Sequence, residues 1–125
     1  MSLNVYVFLF DEDDKMTLLD TPTRGSDLAG FESFRTTVWG SDAMRALGAR
    51  FFPVLNGGDL TVRPEQVADF LRECATVEAN IEAIAPNTNP HHTYEWYVET
   101  VLERLANIRA AAERALEVGG GVVIW

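Results

Sequence analysis

The chain has 125 residues, 47% of them hydrophobic, with a formal net charge of −9. That length predicts one domain spanning residues 1–125, and the charge excludes a broad phosphate-neutralising surface for nucleic acid. Cys74 is the single cysteine, so no internal disulfide forms, and the longest apolar run, Val5 to Phe10, is far short of the ~20 residues of a membrane helix.

Val5-Tyr6-Val7-Phe8-Leu9-Phe10 is β-branched and aromatic, the pattern of a strand buried on both faces. Asp11 to Lys15 reads as a charged turn, Met16 to Leu19 as a short return strand, and Pro22 with the Gly25–Gly30 region as loop. Phe34 to Trp39 has strand propensity. Ser41 is a good N-cap for a short helix that Gly48 stops. Phe51 to Leu55 packs around Pro53 and ends in an Asn56-Gly57-Gly58 turn, and Asp59 to Val62 reads as a short strand.

Pro64 suits the first position of a helix whose apolar stripe is Val67, Phe70, Leu71, Cys74, Val77, Ile81 and Ile84. Asn89 and Pro90 predict the start of a second, longer helix with the stripe Tyr94, Val98, Val101, Leu102, Leu105, Ile108, Ala112 and Leu116. Gly119-Gly120-Gly121 stops it, and Val122-Val123-Ile124-Trp125 closes the chain as a strand held in the sheet. The expected fold is α/β or α+β: a small sheet containing the first and last segments, packed against a long C-terminal helical hairpin.

Charge is unevenly spread. The first twenty residues set Asp11, Glu12, Asp13, Asp14 and Asp20 against Lys15 alone, and the middle third is richer in arginine than in acids. The two helices are again acidic. The start of the chain lacks a basic n-region and a cleavage site, which predicts a cytoplasmic protein. The preference for arginine over lysine points to a GC-rich bacterial gene.

No catalytic constellation is visible. The histidines are adjacent, the serines are scattered, and Cys74 sits on an apolar stripe, where a thiol is inert. Asp11 to Asp14 has oxygen ligands for a hard cation but fails the calcium-loop pattern. His91 and Glu95 are one helical turn apart, a zinc-compatible spacing without a visible third ligand. Neither a metal nor a cofactor is expected. Glu95, Glu99 and Glu103 recur every four residues and form an acidic ridge, flanked by Trp96 and extended by Glu73, Glu78 and Glu82. An aromatic on an acidic ridge suits a protein-binding hot spot. Arg35, Trp39 and Arg45 in the middle third are the expected lining of an alternative small-anion pocket.

From Leu60 to Trp125 the organisation resembles small acidic bacterial immunity proteins, which inhibit toxins. A short strand is followed by Pro64-Glu65 opening a helix, a long second helix, a glycine-rich turn and a closing apolar strand, and barstar-like inhibitors also end on a short apolar strand. The resemblance implies an acidic surface set against a basic protein, and it carries no individual residue across. The expected function is a non-enzymatic protein-binding domain of the immunity type, using Glu95, Trp96, Glu99 and Glu103. The alternatives are a small-molecule-binding domain or enzyme with a pocket near Arg35, Trp39 and Arg45, and a homodimer through the helical hairpin.

Overall fold

A computed structural model describes residues 2–85 and 91–125. Its elements in chain order are β1 (Ser2–Phe10), β2 (Met16–Leu18), β3 (Leu28–Phe31), a wide helical turn (Arg35–Trp39), α1 (Asp42–Ala46), a 3-10 turn (Phe52–Asn56) and β4 (Leu60–Val62). A 3-10 turn (Pro64–Gln66), α2 (Val67–Ala79), α3 (Ile81–Ile84), α4 (Tyr94–Val118) and β5 (Gly121–Ile124) follow.

The architecture is mixed α+β. The sheet is antiparallel in every pairing, with the order β2-β1-β5-β4 and β3 beside the start of β1. The last strand thus lies between the first and the fourth, with Val5 opposite Ile124 and Leu60 opposite Ile124. Two strands share the other edge of β1. β3 takes Ser2 to Asn4 and β2 takes Phe8 to Phe10.

Alternation along the strands assigns the faces. Leu3, Val5 and Val7 of β1, with Val122 and Ile124 of β5, join the main core, into which α2 and α4 project Phe70, Val77, Leu105 and Ile108. Tyr6, Phe8, Val123 and Trp125 are outside that core. Phe8 is nevertheless fully buried, lying over Gly121, and Arg63 sits 5.3 Å above the neighbouring Phe10 ring.

Several expected boundaries are corrected. Phe34 to Trp39 is helical rather than extended. The amides of Thr36 and Thr37 donate to the Ser33 carbonyl, the Thr37 hydroxyl donates there too at 2.9 Å, and the Trp39 indole donates to the Ala29 carbonyl at 2.9 Å. Core burial of Val38 and Trp39 overrides the strand propensity of their side chains. Part of the expected Gly25–Gly30 loop is β3. Gly30 adopts a φ of +126° there, and the Phe34 ring occupies the space that a side chain would need.

The first long helix breaks at Asn80, whose side-chain amide donates to the Thr76 carbonyl at 2.8 Å and ends α2 one residue before α3. The second begins at Tyr94, capped by Thr93, whose hydroxyl accepts the Trp96 amide at 3.1 Å. Asn89 and Pro90, the expected cap and first residue, lie outside the described residues. The buried stripe of α4 is Tyr97, Val101, Leu105, Ile108, Ala112 and Ala115, so Leu116 is 55% exposed instead of packed.

Other boundaries agree with the sequence. Ser41 caps α1 through the Met44 amide, and Gly119 closes α4 in the left-handed conformation at φ +72°.

Gly121 is the tightest point of the sheet. A β-carbon there would strike the Val62 carbonyl oxygen and the Phe8 ring. Gly121→Ala is expected to lower the unfolding free energy by about 1–3 kcal/mol through overpacking. Gly57→Ala, at a position with nothing within 4 Å, is expected to leave it nearly unchanged. Urea unfolding compares the two, and equal midpoints would show that the β1–β5 contact is slack.

Candidate functional site

The acidic ridge lies on the outer face of α4. Glu95, Glu99 and Glu103 are exposed. Glu103 has Arg104 at 3.5 Å, whereas Glu95 and Glu99 form no ion pair among the described residues. Trp96 is half-buried beside two rings. His92 stacks on it at 3.8 Å and Phe31 lies parallel to it at 6.4 Å. Phe31 is 42% exposed, so the indole belongs to an aromatic patch beside the two unpaired glutamates. Phe31 escapes a sequence reading because it arrives from β3.

The glutamates of α2 and α3 divide by role. Glu78 binds Arg109 of α4 at 2.5 Å, tying the two helices together. Glu82 joins the ridge end of α4 through its backbone, where its carbonyl accepts the Tyr94 hydroxyl. Glu73 turns the other way, accepting the amides of Arg50 at 2.5 Å, Phe51 at 3.0 Å and Phe52 at 2.9 Å. It caps the start of the Phe52–Asn56 turn with a carboxylate, a charge-assisted arrangement stronger than a neutral cap.

His91 precedes the Thr93 cap, so it and Glu95 do not share a helical face. Among the described residues no group of three metal-ligating side chains comes together. Asp11 to Asp14 forms a hairpin tip: Asp11 Oδ1 accepts the amides of Asp13 at 2.8 Å and Lys15 at 2.9 Å, and Asp14 takes a φ of +58°. Burial pushes the Cys74 thiol up to about 12, with the Glu73 charge adding to it. At neutral pH it is a protonated, packed side chain.

Arg35, Trp39 and Arg45 do not share a cleft. The Arg35 guanidinium is spent on the Glu32 carboxylate at 2.8 Å, the Gly58 carbonyl at 2.5 Å and Asp59 at 3.5 Å. Trp39 is fully buried against Phe52, with ring centroids 4.9 Å apart. Arg45 is exposed on α1 beside Asp42.

A different cleft, of about 260 Å³, opens between α4 and the edge of β1. Val5, Val7, Leu19, Ala110 and Ala111 supply its apolar surface, and Arg24 and Arg114 its charge. The signal missed in the sequence was the gap that β2 and β3 leave between them on one edge of β1, which no local pattern encodes.

No protein-family model, no curated protein and no solved structure matches the chain.

Two expectations follow. Removing Glu73 leaves three amides without their acceptor. Glu73→Ala is expected to cost about 1–3 kcal/mol in thermal or urea unfolding, while Glu99→Ala stays within about 0.5 kcal/mol. Equal effects would mean that water replaces the cap.

The Tyr6 hydroxyl donates to Asp27 at 2.8 Å. That bond first, then burial and the Asp27 charge, raises the phenol above its ordinary 10.0. The folded state therefore holds the proton more tightly than the unfolded chain. This contribution is complete below pH 10 and is lost as pH climbs through the raised value. Tyr6→Phe is expected to flatten the alkaline decline in stability, and a decline unchanged from the parent protein would assign it to other groups.

Proposed function

We infer that this protein is a non-enzymatic protein-binding domain of the immunity-inhibitor type that meets a basic partner through the acidic face of α4. The observation that carries the reading is the distribution of ion pairs. Arg35, Arg45, Arg63, Arg72, Arg104 and Arg109 are all bound to carboxylates within the fold. Glu95 and Glu99 keep their charge facing outward, beside the aromatic patch of Trp96, His92 and Phe31.

Unneutralised exposed acids steer a basic protein during encounter. An indole already stacked on His92 is held in one orientation, so it loses little rotamer freedom on binding. The glutamates would thus set the rate of association and Trp96 the rate of dissociation.

The test begins with a pull-down from bacterial lysate at low and moderate salt and continues with kinetics on a retained basic protein. E95Q/E99Q/E103Q is expected to slow association about tenfold at low salt, with the difference shrinking as salt rises. Trp96→Ala is expected to speed dissociation. Association that is indifferent to the triple variant would remove the ridge from the interface.

A further inference from the structure

The cleft beside β1 has a construction that the acidic-surface reading does not use. On this edge, pairing with β3 ends at Asn4 and pairing with β2 begins at Phe8. Residues 5–7 have no strand beside them there. The chain crosses the gap as an arch instead, tied at its ends: the Leu19 amide donates to the Val7 carbonyl at 2.8 Å, and the Val5 amide donates to the Asp27 carbonyl at 2.8 Å. The cleft lies between this arch, the β1 edge and α4, which contributes Asn107, Ala110, Ala111 and Arg114.

The charge of the cleft is unusual for this molecule. Arg24 and Arg114 both line it, and neither has a carboxylate partner among the described residues. Most other arginines are ion-paired, in a chain of net charge −9 with 19 acidic residues. Arg114 uses one nitrogen to donate to the Asp20 backbone carbonyl at 2.8 Å, which holds its stem against the arch and leaves its other donors available. Arg24 has no polar partner at all among the described residues. The arch carries Asp20 and Asp27, neither of which lines the cleft, and Asp27 accepts the Tyr6 hydroxyl through one carboxylate oxygen.

We propose that this cleft binds a small organic carboxylate, its apolar body on Val5, Val7, Leu19, Ala110 and Ala111 and its carboxylate between Arg24 and Arg114. A guanidinium presents paired N–H donors that match the two carboxylate oxygens. The volume of about 260 Å³ is below that of most drug-sized pockets, which limits the ligand to a short aliphatic or a single-ring acid. The apolar floor distinguishes such a ligand from inorganic anions, and the two cations distinguish it from an alcohol of the same length. The site shares no residue with the α4 ridge, so either reading stands if the other fails.

The experiment is an NMR titration of the isotope-labelled protein with octanoate, with inorganic phosphate and 1-octanol as the charge-only and apolar-only probes. Octanoate is expected to shift the amides of residues 5–7, 19–26 and 107–114 in a saturable manner, and both controls to bind at least tenfold more weakly. Arg24→Gln removes a cation that makes no hydrogen bond or ion pair among the described residues, so the spectrum of the free protein is expected to persist while the octanoate Kd rises about tenfold. Arg114→Lys keeps the charge, loses the fork, and is expected to weaken binding by a smaller factor. Absence of saturable shifts at these residues overturns the proposal, as does a Kd unchanged in Arg24→Gln. Equal binding of phosphate, or of octanol, overturns the claim of an amphipathic acid.

Discussion

β5 is the strand on which the sheet depends. It pairs with β1 on one side and β4 on the other, so the two ends of the sequence and its middle meet through four residues. Val122, Val123 and Ile124 are all buried, each contributing about 1.5–3 kcal/mol of apolar transfer. Gly120 and Gly121 allow this approach because a side chain at either would strike backbone carbonyls. Without β5, β1 and β4 have no partner in common, and the inner face of the sheet offers α4 an incomplete floor.

From that strand the helical layer follows. α4 packs on the inner face of the sheet before Gly119 turns the chain into β5, placing Leu105, Ile108 and Ala112 in the core with Val5 and Val7. α2 packs on α4, and Glu78 fixes the pair by meeting Arg109 at 2.5 Å. The short middle segments then close the remaining side. Trp39 stacks on Phe52 and Phe70 packs tilted against Phe52, with centroids 4.9 Å and 5.2 Å apart. Glu73 pins the loops there through backbone amides, and Arg35 through the Gly58 carbonyl together with Glu32 and Asp59.

The two surfaces singled out for function have opposite electrostatic character on one acidic body. The outer face of α4 is acidic because its glutamates outrun the available arginines. The cleft at the β1 edge is cationic because Arg24 of the arch and Arg114 of α4 line it and no acidic residue does. One helix thus carries both. Its first turns present Glu95 and Glu99, and its later turns wall the cleft with Asn107 and Arg114.

The sequence by itself determined the elements whose signals are local and periodic. The apolar run of β1, the glycine-stopped α4, the closing strand and the Ser41 cap are legible because burial imposes periods of two or 3.6 on the residues themselves. The exposed ridge of Glu95, Glu99 and Glu103 was legible for the same reason. Tertiary structure decided everything that depends on distant neighbours. The segment from Arg35 to Trp39 became helical because the Trp39 indole reaches Ala29 and its ring needs Phe52. Glu73 became a cap and not part of a charged face because the turn at Phe52 lies against α2. The cleft exists because two short strands divide one edge of β1 and leave residues 5–7 there without a strand partner. Such a gap is a property of register between segments, and register is fixed by packing rather than by any pattern within them.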